Sequence, residues 1–154
     1  MDARRHSSGF TITELLVAVA VLGILAALAV PSFRSLTQAQ QVKAASFELF
    51  AALSLARSEA IKRNGNITVT PAAGGWEDGW SMTSGGTIIS THGVLRGVVV
   101  TGGPASVVYA RTGRISGATA PSFQIDNETT ATANVRCIRI DLSGMPRTVK
   151  GVCS

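Results

Sequence analysis

Groups that carry chemistry at neutral pH are scarce in this sequence. Its 154 residues include only two histidines and two cysteines. His6 and His92 lie far apart, and neither is near Cys137 or Cys153, so no set of residues has metal-ligand spacing. The phosphate-cradling G-x-x-x-x-G-K-[ST] loop is missing, as are H-E-x-x-H and C-x-x-C. Serines are plentiful, but His92, the one histidine in the polar part of the chain, has no triad context. No enzyme is expected, and no cofactor, metal site or catalytic residue.

Polar side chains are also missing from one long stretch. Residues 15–30 contain none, and residues 10–30 are interrupted only by Thr11, Thr13 and Glu14. About 20 apolar residues suffice to cross a bilayer as a helix. Arg4 and Arg5 precede the run, which keeps the N-terminus cytoplasmic and sends the remainder outward. An ordinary secretory signal would end in a small-residue cleavage site with a polar chain after it, and residues 27–31 imitate one poorly. The length leaves room for one modest head beyond the membrane segment.

The apolar run opens with Ser8-Gly9-Phe10-Thr11-Ile12-Thr13-Glu14-Leu15. This resembles the recognition sequence of type IV prepilins and type II secretion pseudopilins. The resemblance implies a prepilin peptidase that cuts between Gly9 and Phe10 and N-methylates Phe10. Glu14 then becomes the fifth residue of the processed chain. A carboxylate in the first turn of a membrane helix costs roughly 2.5–3.5 kcal/mol on insertion scales, so it needs a compensating partner. The protonated amine of Phe10 has the complementary charge, and methylation keeps it. In these families the amine belongs to a neighbouring subunit, which makes Glu14 an assembly residue. Gly23 and Pro31 predict a kink or local melting nearby.

Beyond Pro31 the helical period continues. Val42, Ala45, Leu49, Leu53, Ala56 and Ala60 step by three or four and define an apolar face, which Phe47, Phe50 and Ile61 widen. Asn64-Gly65 is a helix stop. The fold class expected is therefore α+β, a long N-terminal helical spine on a small antiparallel β-rich head. Residues 1–9 are the leader, 10–30 the membrane and assembly helix, 31–63 its amphipathic continuation and 64–154 the head. Short β-prone runs lie at 66–70, 80–83, 87–90, 97–101, 106–110, 122–125, 136–142 and 147–152, separated mostly by Gly, Pro, Asn or Asp. Trp76-Glu77-Asp78-Gly79-Trp80 resembles the W-x-x-G-W element of the family that holds FimT-type minor pilins and the H pseudopilin of type II secretion. Residues 56–61 at the helix end are similar to that family too. Both tryptophans read as anchors of a turn against the sheet.

Cys137 and Cys153 can oxidise together in an exported head. Both are equidistant from Met145, and Ser143-Gly144-Met145-Pro146 carries turn chemistry, so a hairpin centred there predicts a disulfide that stiffens the tip. Positive charge is concentrated near that tip. Residues 96–154 hold seven Lys and Arg against three Asp and Glu, a net of +4, which equals the net charge of the whole chain after the leader. Some FimT-type pilins bind DNA through a C-terminal Gly-Arg-x-Arg motif, and Gly144-Met145-Pro146-Arg147 resembles it with Met145 in place of the first arginine. Lys150 and the pair Arg111 and Arg114 compensate, which makes Arg111, Arg114, Arg147 and Lys150 the expected phosphate contacts. The resemblance implies the prepilin peptidase, other pilins, the inner membrane and DNA as partners, with the head in the periplasm before assembly. A structural minor pilin and a secretion pseudopilin are the alternative roles.

Overall fold

The structure, a computed structural model, describes residues 10–127 and 134–154. The leader, with Gly9, lies outside the described residues. A single helix, α1 (Ile12–Arg63), is followed by eight strands: β1 (Ile67–Ala72), β2 (Gly75–Ser84), β3 (Thr87–His92), β4 (Val99–Thr101), β5 (Val107–Tyr109), β6 (Ser122–Asp126), β7 (Arg136–Ile140) and β8 (Pro146–Lys150). They form two four-stranded antiparallel sheets, ordered β3-β2-β1-β5 and β4-β6-β7-β8. Each expected β-prone run falls on one of these strands.

The chain divides into two compact units, the first ending at Thr37 and the second Gln38–Ser154. In the first, every large apolar side chain named between Phe10 and Leu36 is exposed. This stretch is long and apolar enough to cross a membrane. The helix is unbroken through residue 31, so the expected local melting is not seen in the free subunit.

In the second unit α1 sits on the sheets through Val42, Ala45, Leu49, Leu53, Ala56 and Ala60, all buried. These residues join Ile67, Val69, Met82, Val107, Tyr109, Phe123, Ile125, Ile138 and Ile140 in one core. Leu49 and Leu53 have no exposed surface, and trimming either to alanine would cost about 2–5 kcal/mol. Phe47 and Ile61 do not widen this face. They are 71% and 52% exposed. At about 100° per residue, Phe47 lies some 200° from both Ala45 and Leu49, on the far side of the helix. Asn64 ends the helix with φ 49°, and Gly65 donates to the Ala60 carbonyl.

The tryptophan element also departs from expectation. Residues 76–80 lie inside β2 rather than in a turn. Gly79 makes this feasible: its φ is 105°, and a Cβ there would stand 2.9 Å from the Gly93 carbonyl carbon. Both tryptophans are nonetheless buried anchors. Trp76 donates from Nε1 to the Pro104 carbonyl at 2.8 Å and meets Phe123 edge-on at 4.8 Å. Trp80 stacks on His92 at 4.2 Å.

Candidate functional site

The start of α1 is built by Thr11 and Glu14. Glu14 accepts hydrogen bonds at Oε2 from the Thr11 amide (3.2 Å) and hydroxyl (3.0 Å), while the Glu14 amide donates to Thr11 Oγ1 at 3.2 Å. That reciprocal pattern is a capping box, in which two otherwise unpartnered helix donors are satisfied. Its carboxylate also lies at the positive end of the helix dipole. Glu14 therefore has a local partner in the free subunit. Thr11 was legible in the sequence through the T-x-x-E spacing, whereas charge alone points only to Glu14. Phe10 is exposed just ahead of the helix.

Beside the C-terminal end of α1 two glycine turns meet. The first, between β5 and β6, is closed by the Ala110 amide donating to the Arg114 carbonyl (2.8 Å) and the Gly113 amide to the Ala110 carbonyl (2.7 Å). The second, between β7 and β8, is closed by the Gly144 amide donating to the Asp141 carbonyl at 2.8 Å. Asp141 Oδ1 accepts from the Ser143 amide (2.9 Å), the Met145 amide (3.3 Å) and the Ser143 hydroxyl. The Ser143 hydroxyl is the chief reason the Asp141 carboxyl is held below the usual carboxylate range; the two amides and Arg147 add to it. A Cβ on Gly144 would lie 2.9 Å from the Gly113 carbonyl carbon and 3.3 Å from the Arg114 Cα. Arg57 of α1 donates from Nε to the Gly113 carbonyl at 3.1 Å, which ties the clasp to the helix.

This clasp brings the Arg111–Arg114 turn against the turn that leads into Arg147 at the start of β8. All three arginines are exposed. Arg147 Nε is 3.8 Å from Asp141 Oδ2, a loose solvent-facing pair that leaves the guanidinium available. Across β7–β8, Arg147 stands opposite Arg139, a further cation not among the expected contacts. Lys150 is placed differently. Three residues along a strand from Arg147, it falls on the other face of β8, opposite Arg136 and beside Lys43 of α1. The four expected contacts thus split into a three-arginine tip and one lysine in a separate basic cluster.

Cys137 and Cys153 are joined, with Cα atoms 5.1 Å apart. The hairpin is not centred on Met145, however. Ile140 pairs with Pro146 and Cys137 with Val149. The chain leaves β8 at Gly151 (φ 111°), and the Cys153 amide then reaches Gln124 Oε1 of β6 at 3.4 Å. The bridge fastens the C-terminal residues over β7 towards β6 and does not stiffen the tip.

An apolar helix opened by a capped glutamate, continuing into a two-sheet antiparallel head, defines a type IV pilin-like subunit. Residues 45–144 match the family described as Type II transport protein GspH, and residues 4–30 match the prokaryotic N-terminal methylation motif. The chain belongs to the GspH family. Two crystal forms of the type IV minor pilin FimU of Pseudomonas aeruginosa share the fold, with TM-scores of 0.63 and 0.60 at 21% and 20% identity. Those alignments cover 73% and 70% of this chain and 91% of FimU in each case. No curated protein matches the chain. The methylation motif implies processing by prepilin peptidase and assembly with other pilins, and the apolar helix fits a membrane-anchored subunit that is later assembled into a pilus.

Proposed function

We propose that this chain is a minor pilin, cut between Gly9 and Phe10, that binds DNA without sequence preference through its tip arginines for uptake in natural transformation. Before assembly its head faces the periplasm. In the fibre, Glu14 leaves its capping box to meet the methylated amine of a neighbouring subunit. The observation that carries the DNA reading is the contact of Gly144 with Gly113, which gathers Arg111, Arg114 and Arg147 on one exposed tip. Phosphate contacts require cations on accessible turns and no base readout. Lys150 lies on the other face of β8 and is not one of the tip contacts. Three tip contacts correspond to a log–log salt slope near −2.7, at about 0.9 per phosphate on duplex DNA.

The test is a mobility-shift titration of the full processed chain in nonionic micelles against a duplex at several salt concentrations. Binding that weakens with that slope and is lost when all three arginines become alanine supports the reading. Equal binding by that variant sinks it. The family description and the FimU fold also favour a second reading, a structural subunit that primes pilus assembly or serves as a secretion pseudopilin. A deletion strain separates the two, since a DNA-uptake subunit lowers transformation while a purely structural one lowers piliation or secretion.

A further inference from the structure

Three hollows run along one seam, between α1 and the edge strand β8. The first, about 230 Å³, is lined by Lys43, Arg136 and Lys150 among its six residues. The second, about 350 Å³, shares Lys43 and Arg136 with it and adds Phe47 and Phe50. The third, about 400 Å³, shares Phe50, includes Arg57 and ends at Met145 and Pro146 beside the tip. Among the described residues, no carboxylate lines any of the three. The opposite flank of α1 differs, since Glu48 there lies 3.3 Å from His92 Nε2.

The seam places cations together, with no carboxylate among the described residues that line it. Arg136 and Lys150 are directly opposed across β7–β8, a like-charge pairing that destabilises a sheet unless an anion sits between the two groups. Lys43 joins them from the helix. Among the described residues, none of the three has an ion-pair partner. Next to them Phe47 holds an apolar ring 71% in solvent, 6.5 Å from the half-buried ring of Phe50. Grouped cations beside presented aromatic rings along one seam suit a polyphosphate backbone with stacking bases. Arg136 is half-buried, within reach of a single strand lying in the seam but recessed from the rigid exterior of a duplex.

We propose that the α1–β8 seam binds single-stranded nucleic acid, with phosphates on Lys43, Arg136 and Lys150 and a base stacked on Phe47. This rests on the reading that the head meets nucleic acid, and extends it from the tip to a second, strand-selective site. An acidic extended polypeptide adding to the β8 edge is the competing occupant, and Phe47 discriminates, since stacking on it serves bases and not carboxylates.

The test uses the full processed chain in nonionic micelles and fluorescence anisotropy with a labelled thymidine oligonucleotide, a duplex of equal length and poly-glutamate. Lys43→Ala/Arg136→Ala is expected to weaken oligonucleotide binding tenfold or more. It also lowers the salt slope by about 1.4, at roughly 0.7 per single-strand phosphate. Phe47→Ala, at a site exposed enough to leave the fold intact, should weaken it about fivefold or more with the slope unchanged. The tip variant Arg111→Ala/Arg114→Ala/Arg147→Ala should lose duplex binding and keep oligonucleotide binding within about twofold of the parent, as expected if the tip makes none of the single-strand phosphate contacts. Unchanged oligonucleotide binding in the double variant or in Phe47→Ala overturns the inference. So does poly-glutamate binding as tight as the oligonucleotide and indifferent to Phe47, which assigns the seam to an acidic polypeptide. Loss of both ligands in the tip variant refutes the seam and leaves the tip reading standing. Loss of duplex binding in no variant refutes the tip reading alone.

Discussion

Gly144 rests its α-carbon against the carbonyl of Gly113, thirty-one residues earlier in the chain, with no space for a side chain between them. Gly144 has φ 85° and Gly113 φ 74°, so both occupy the left-handed region where glycine carries no steric penalty. Gly144→Ala therefore meets a collision with backbone and an unfavourable conformation together. The expected loss is about 2–4 kcal/mol. A thermal melt measures it, and DNA binding by the tip should fall in parallel because the arginine turns separate.

Closing a loop of the size between Cys137 and Cys153 contributes about 3 kcal/mol in the chain-entropy account. Cys137→Ser/Cys153→Ser should lower the melting midpoint by a corresponding amount. Reductant should lower the parent to the same value and leave the variant unmoved. Because the bridge lies over β6 and β7, tip-dependent DNA binding at a temperature well below both midpoints should be unaffected.

Asp141 organises the β7–β8 turn as an anion. Its pKa is lowered in the native state, so its contribution is complete above the ordinary aspartate value of about 3.9 and fades as pH falls through the lower native one. Asp141→Asn should thus be less stable than the parent at neutral pH, with faster amide exchange at Ser143 and Met145. The difference should shrink only on acidification below the ordinary aspartate range. A gap between the two that is constant with pH contradicts the assignment.

Tyr109 is fully buried at the end of β5, and its hydroxyl has no hydrogen-bond partner among the described residues. Burial also pushes its phenol well above the usual tyrosine range. An unsatisfied buried hydroxyl is a cost, so Tyr109→Phe should be as stable as the parent or more stable by about 1 kcal/mol. Chemical denaturation decides it, and a clear destabilisation would reveal a partner for the hydroxyl.

Thr11 and Glu14 separate helix capping from assembly. Thr11→Val removes the cap, worth about 1 kcal/mol, but keeps the carboxylate, and fibre incorporation should persist. Glu14→Gln keeps an acceptor for Thr11 and loses the charge. Incorporation should then fall tenfold or more while cleavage after Gly9 continues. Mass spectrometry of the processed chain and quantification of sheared fibres give the two readouts.

Local chemistry made much of this protein readable in advance. The apolar stripe from Val42 to Ala60 emerged because a helix repeats every 3.6 residues, and the strands because Gly, Pro, Asn and Asp punctuate the β-prone runs. Phe47 departs from expectation for a local reason, since the helical period puts it about 200° from both Ala45 and Leu49 and so turns its apolar ring into solvent. The other departures arise where a side chain's surroundings come from distant parts of the chain. The W-x-x-G-W element looked like a turn, yet Gly79 lets the strand pass close to residues 92 and 93.

By itself the sequence determined the membrane-compatible helix, its continuation, the β-rich head and the processing motif, since each follows from composition and period over a few neighbouring residues. Only the tertiary structure decided that the hairpin turns at residues 141–145, that the Arg111–Arg114 turn lies against this turn just before Arg147, and that Lys150 joins Lys43 and Arg136 instead. The physical reason is that strand pairing and backbone contact between remote turns depend on how the whole chain closes, and no local pattern encodes which cations will then be neighbours.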